Sequence, residues 1–276
     1  MNDLNEPATS PEKAMSWKEG DLPPRWYLWE GGFLVTGRAG GEVPVHAHHT
    51  IQVHVATEGA IAVRAVGGEW QVGRGTIVRA DVEHAFDARG ATGAMLMVDP
   101  ESSEGAHLQH ALASDITIVP DARLESPVAE LRKFIERPME AMEAGALVRH
   151  TVQTLCPQGL PLRKLDRRVG KVLDAIRQSE ELRLSLEDAA ELVHLSPGRF
   201  QHLFKEEVGL PFRRYVLWRK LTRAMLSIGR ERTLAAAAQQ GDFSDAAHLT
   251  RTFHQMFGIP PSVLMRGEFF EIASPF

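Results

Sequence analysis

The chain has 276 residues, 31 Lys/Arg against 36 Asp/Glu for a net charge of −5, and a single cysteine, Cys156. That length exceeds one typical domain, one cysteine excludes a disulfide framework or a CxxC zinc cluster, and no apolar run nears the roughly 18–20 residues of a membrane helix. The charge is uneven: residues 1–160 hold 13 basic against 22 acidic side chains and residues 161–276 hold 18 against 14, so a phosphate-binding surface belongs to the second part.

Residues 1–24 are polar and contain prolines, which predicts a mobile lead-in. They lack the basic start and apolar core of a secretory signal, so a cytoplasmic protein with no membrane partner is expected. From 25 to 105 the chain reads as short strands between glycine-containing turns, with Ile51, Val53 and Val55 alternating against Gln52 and His54, and Ile61 and Val63 against Ala62 and Arg64. A small antiparallel barrel or double-sheet sandwich follows.

Five of the twelve histidines fall between positions 46 and 84, and His46 and His48 lie on one face of an extended segment. Together with Gly41, Gln52, Gly59, Gly75 and His84, this H-x-H pair resembles the two-part motif of the cupin family. In cupin metalloenzymes a Glu joins the three histidines as a ligand; here Gln52 stands near its place and removes an anionic ligand. The expectation is therefore no metal, no cofactor and no catalytic residues. His46, His48, Gln52 and His84 are instead assigned to a pocket for an unidentified small-molecule effector.

Residues 106–160 change period. Leu124, Val128, Leu131 and Ile135 recur at helical spacing, as do Val148, Val152 and Leu155, with Pro138 between the two helices. Their stripes either pack on the barrel or face a second subunit, which would make these the dimerisation helices of a homodimer. A linker, 157–164, leads onward.

Residues 161–268 carry the strongest pattern. A lead helix, 165–178, buries Val169, Val172, Leu173 and Ile176. Ser185 with Asp188 then reads as a capping box, Leu186, Ala189, Ala190 and Val193 form the next buried stripe, and His194-Leu195 makes a tight turn. Ser196 caps a further helix with Pro197 in its first turn. This is a helix-turn-helix pattern: Phe200, Leu203, Phe204 and Val208 face inward, while Gly198, Gln201, His202 and Lys205, with Arg199 at the border, form a small and polar face that suits the major groove.

Residues 211–229 then read as one helix of about 27 Å at 1.5 Å per residue, anchored by Phe212, Tyr215, Trp218, Leu221, Met225 and Ile228. Its Arg213, Arg214, Arg219 and Arg223 either meet phosphate or form ion pairs. A second unit begins at Thr233, with Ser244 as the expected cap of its reading helix. Leu249, Phe253, Met256 and Phe257 point to its core, and Ser244, His248, Arg251, Thr252 and Gln255 to the other side. Arg251 is the best candidate for a base contact and His248 for a phosphate contact.

The segments SLEDAAELVHLSPGRFQHLFKEEVG, RRYVLWRKLTRAMLSIG and FSDAAHLTRTFHQMFGIPPS resemble the tandem helix-turn-helix domain of the AraC/XylS family of transcriptional regulators over about a hundred residues. The resemblance implies an α+β protein that binds double-stranded promoter DNA, with RNA polymerase as a further candidate partner. It places Gly198, Gln201 and His202, then His248 and Arg251, where the family's two reading helices contact DNA. One departure is Asp242, where the family usually has glycine before the Phe of the second unit. A cupin metalloenzyme fused to a DNA-binding module is the alternative reading, and a ligand-independent regulator with a structural barrel is a third.

Overall fold

The computed structural model describes residues 24–272 except 30, 103–104, 107, 110–111, 156–164, 180–181 and 183. Almost all of the expected lead-in, Cys156 and the linker lie outside the described residues. Strands β1 (Arg25–Trp29), β2 (Gly32–Arg38), β3 (Glu42–His46), β4 (Ile51–Glu58), β5 (Ile61–Ala65), β6 (Gln71–Gly73), β7 (Gly75–Val78), β8 (His84–Asp87), β9 (Thr92–Val98) and β10 (Ile116–Ile118) build two sheets. The larger runs β10-β7-β4-β9-β2-β1 and the smaller β3-β8-β5-β6, with antiparallel neighbours throughout. Because β10 pairs with β7, the barrel continues past residue 105, where the connecting helices were expected to start.

The alternation along β4 is real, but both of its faces are buried. Ile51, Val53 and Val55 point outward, where α1 (Asp121–Arg132) and α2 (Ala141–Leu155) cover them with Leu124, Val128, Leu131, Val148, Val152 and Leu155. Gln52 and His54 point the other way, into the barrel. The apolar stripes of α1 and α2 are thus spent on the chain's own sheet, the first of the two arrangements expected of them.

Helices α3 (Arg167–Gln178), α4 (Leu186–Leu192), α5 (Pro197–Val208), α6 (Phe212–Glu231), α7 (Leu234–Gln240) and α8 (Ala246–Phe257) form the second unit, followed by a 3₁₀ turn at Pro261–Arg266. Strand β11 (Glu268–Glu271) then leaves that unit and pairs in parallel with β1, placing Phe269 on Trp26 and Phe270 on Tyr27 at centroid distances of 6.1 and 5.0 Å. One apolar core runs through both units, from Trp26, Phe33 and Phe86 to Phe204, Trp218 and Phe257. Among the described residues no helix is long and apolar enough to cross a membrane.

Candidate nucleic-acid interface and barrel site

The first reader is assembled by local chemistry. Ser185 and Asp188 form the reciprocal capping box that starts α4, and His194 takes a positive φ of 55° in the turn that follows. Ser196 accepts the Arg199 N–H, Pro197 occupies the first turn of α5, and Gly209 closes it in the left-handed region. Phe200, Phe204 and Val208 are buried, whereas Gly198, Arg199, Gln201, His202 and Lys205 are all exposed.

The second reader differs in its cap. Asp245, not Ser244, caps α8 by accepting the His248 N–H at 2.7 Å, and Ser244 Oγ lies 3.1 Å from the Asp245 carboxylate and 3.2 Å from His248 Nδ1. An aspartate at this position is favoured because its charge also meets the helix dipole. Arg251 and Gln255 are exposed and His248 half-buried, but Thr252 is only 7% exposed, so it belongs to the packed side of α8 and not to the reading face. Arg251 makes no ion pair among the described residues.

Asp242 does adopt a positive φ, 54°, and Lys220 holds it with bonds of 2.6 Å to its carboxylate and 3.2 Å to its carbonyl. Gly241 is needed for a different reason. A Cβ there would stand 2.8 Å from the Lys220 carbonyl and 2.9 Å from Ala224 Cβ, so only glycine lets this turn lie against α6. Helix α6 has 20 residues, about 30 Å of rise, and holds the two readers apart. Of its four arginines, Arg213 and Arg214 are exposed, Arg223 donates to the Ser179 carbonyl, and Arg219 is buried beside Asp99 of the barrel.

The structure brings the four expected pocket residues together. His46, His48 and His84 have ring centroids 4.5–5.4 Å apart, and Gln52 lies 2.8 Å from His48 Nε2 and 3.3 Å from His54 Nε2. Burial, reinforced by the His84 ring, pushes His46 and His54 down to about 3 and His48 well below the usual imidazole range; burial lowers His84 too. All four rings are neutral near pH 7. The donor set suits a divalent transition metal: three neutral imidazoles, with ligand atoms within 4.8 Å of one another, and a buried His84 Nε2 that has no hydrogen-bond partner. The residues therefore fit such an ion despite the missing carboxylate.

None of the four lines the apolar cavity of about 50 Å³ that lies beside them, walled by Val35, Thr36, His54, Ile61, Phe86 and Met95. His46 and Gln52 instead line a cavity of about 20 Å³ at the seam with α8, opposite Phe253 and Phe257.

A buried ionic cluster at the same seam escaped sequence reading. His49 is bonded through Nδ1 to Asp81 at 2.8 Å and through Nε2 to Glu101 at 2.7 Å, and Arg219 lies 3.8 Å from Asp99. Burial alone would lower His49, but the Glu101 charge and bonds to both carboxylates raise it to about 10. Burial would raise Glu101, yet the His49 charge and its hydrogen bonds bring it below the usual carboxylate range; burial and the Glu101 charge push Asp99 well up. No local pattern links these residues: His49, Asp81 and the Asp99–Glu101 pair come from separate loops of the barrel, and Arg219 joins them only when α6 docks.

Residues 189–267 match a family described as a helix-turn-helix domain. The probable transcriptional regulator LumQ of Photobacterium leiognathi is 24% identical over 195 residues, which cover 69% of this chain and 78% of LumQ. The multiple antibiotic resistance protein MarA of Escherichia coli is 35% identical over 95 residues, covering 34% of this chain and 74% of MarA. Among solved structures, ToxT of Vibrio cholerae shares the fold, with a TM-score of 0.55 at 9% identity over 88% of this chain and 96% of ToxT. A further ToxT structure, solved with an unsaturated fatty acid bound, has a TM-score of 0.54 at 9% identity over 91% of this chain and 97% of that one.

Proposed function

We propose, for a chain that belongs to the AraC/XylS family of transcriptional regulators, that α5 and α8 enter successive major grooves of one promoter and that a small molecule in the barrel biases this binding. The observation that carries the first part is the pair of capped helices with exposed polar faces, α5 packed on the start of the 20-residue α6 through Phe212 and α8 on its middle through Trp218. The rise of α6 that joins them, about 30 Å, is near the roughly 34 Å of one turn of B-DNA. Contacts are assigned to Arg199, Gln201, His202 and Lys205 in the first groove and to His248, Arg251 and Gln255 in the second. Gly198 allows close approach without a side chain of its own.

Footprinting on fragments enriched by the protein from a random-sequence pool tests the reading. Two protected segments about one helical turn apart are expected; one protected segment, lost with either helix, overturns it.

For the effector, the support is the apolar cavity behind Phe86 and Met95, in a fold that holds an unsaturated fatty acid in ToxT. The assigned class is a small, mostly apolar molecule, with a cavity that must widen to admit it. Saturated and unsaturated carboxylic acids titrated against the protein and its Ala88→Leu variant test this, since Ala88 lines the cavity. Equal binding by both proteins rejects the cavity as the site. Any homodimer on a paired promoter uses a surface other than the stripes of α1 and α2.

A further inference from the structure

The hydrogen bonds at the start of α8 fix the proton on one imidazole ring. Asp245 spends both carboxylate oxygens there: Oδ1 accepts the His248 N–H at 2.7 Å and Oδ2 the Ser244 O–H at 3.1 Å. These bonds, the His248 N–H foremost, hold the Asp245 carboxyl below the usual carboxylate range. The carboxylate therefore only accepts, and Ser244 is the donor between them. A serine has one hydrogen to give. Its Oγ consequently accepts from His248 Nδ1, 3.2 Å away, which puts the ring proton on Nδ1 and leaves Nε2 of the neutral ring with its lone pair.

The ring is held on two sides and open at its far end. Buried Phe243 packs against it at 5.2 Å with the planes 81° apart, while Ser244 holds Nδ1. His248 is half-buried, and among the described residues its Nε2 makes no hydrogen bond. Ser244 and Asp245 are exposed, so the leading end of α8 presents a fixed carboxylate and a bare ring nitrogen, both acceptors. Phosphate oxygens are acceptors that carry negative charge, and such a patch disfavours them. The donors that bases offer in the major groove are the exocyclic amino groups of cytosine and adenine. Arg251, exposed one turn later, supplies the donors that guanine or phosphate needs.

We infer that His248 reads a base and not a phosphate, its Nε2 accepting from the amino group of one cytosine or adenine, and that Ser244 is the positioning residue that sets this tautomer. The inference rests on the DNA-binding reading of α8, and it replaces the phosphate role expected of His248 from sequence. Were the proton on Nε2, the same ring would donate, and it would select guanine or phosphate over an amino group. One hydroxyl thus decides which bases this position accepts. Asp245 has two tasks: it caps α8, and it draws the Ser244 hydrogen away from the ring.

The tautomer is read first, by NMR on the full chain carrying isotope-labelled histidine, whose ring nitrogen shifts separate the two neutral forms. The His248 signal is identified by its loss in His248→Ala. A proton on Nδ1 is expected in the parent and in Ser244→Thr, which keeps the hydroxyl, and a shift towards the Nε2–H form in Ser244→Ala. A parent ring protonated on Nε2, or a tautomer that Ser244→Ala leaves unchanged, overturns the positioning role.

Affinity is then measured for a DNA fragment enriched by the protein, with each adenine or cytosine under α8 replaced in turn by its analogue lacking the amino group, and each phosphate by an uncharged methylphosphonate. One amino deletion should cost the parent and Ser244→Thr about three- to tenfold, the worth of one hydrogen bond. His248→Ala should abolish that sensitivity, and Ser244→Ala should reduce it. If His248→Ala instead masks the effect of a methylphosphonate and of no amino deletion, His248 serves phosphate and the base assignment is overturned. Failure to enrich any fragment overturns the DNA-binding reading and the base contact with it, while the tautomer stands or falls by the NMR result.

Discussion

Replacing Arg219 by Met tests whether the seam between barrel and reader is held by charge. Arg219 is 2% exposed and its guanidinium lies 3.8 Å from the Asp99 carboxylate, itself 6% exposed and adjoining Glu101. At that separation, with an effective dielectric near 20, a fully charged pair is worth about 4 kcal/mol, an upper bound here because burial and the Glu101 charge push the Asp99 carboxyl well up, leaving the Glu101 charge as the second anion that Arg219 meets. Deletion of one member of a buried pair costs about 3–5 kcal/mol, since the acids left behind stay desolvated. After the change His49 is the remaining cation for Glu101, and it is already shared with Asp81.

A loss of about 3–5 kcal/mol is therefore expected out of a total of about 5–15, read by urea unfolding through tryptophan fluorescence. Arg219→Lys should recover part of it, because it keeps the charge but not the planar fork. If Met costs less than about 1 kcal/mol, or if Lys is no better than Met, the cluster acts through packing and the electrostatic account fails.

The other predictions concern the readers themselves. Arg251→Ala should weaken DNA binding by about 1–3 kcal/mol and relax choice at one base position; unchanged discrimination in a competition assay would remove Arg251 from base reading. Lys205→Ala should weaken binding evenly across sequences and shallow the salt dependence by about one ion, measured as the slope of log affinity against log salt. Gly241→Ala should destabilise by about 1–3 kcal/mol, since the new methyl meets the Lys220 carbonyl at 2.8 Å; a neutral melting curve would contradict that clash. Ser185→Ala should cost about 0.5–2 kcal/mol by removing the capping box of α4, again read by unfolding.

The helical unit was legible because its determinants are local. Caps at Ser185 and Ser196, the turn at His194 and the buried stripes of α4 and α5 are each set by residues within a few positions of one another. Asp242 shows the same, taking the positive φ that its side chain tolerates. Ser244 misled because Asp245 is an equally good cap one residue later, and period alone cannot choose between them. Thr252 misled because its α8 turn packs on two sides, and periodicity shows only one.

The barrel histidines were legible as a group because the H-x-H spacing puts His46, at the end of β3, and His48, just beyond it, on one side, but their ring orientation depends on main-chain carbonyls that no pattern reveals. The seam was not legible at all. Arg219 acquires its Asp99 partner only through docking, and β11 carries no signal that it belongs to a sheet begun by Arg25.

That last pairing has a consequence for synthesis. The bond between Arg25 and Glu268 spans 243 positions, so at about 5–20 residues per second a ribosome needs roughly 12–50 s after making β1 to deliver its parallel neighbour. Throughout that interval β1 presents an open edge flanked by Trp26 and Tyr27, the sort of edge that recruits foreign strands. The nascent barrel therefore keeps this edge unpaired until the reader emerges, and the final strand works as its closing stitch.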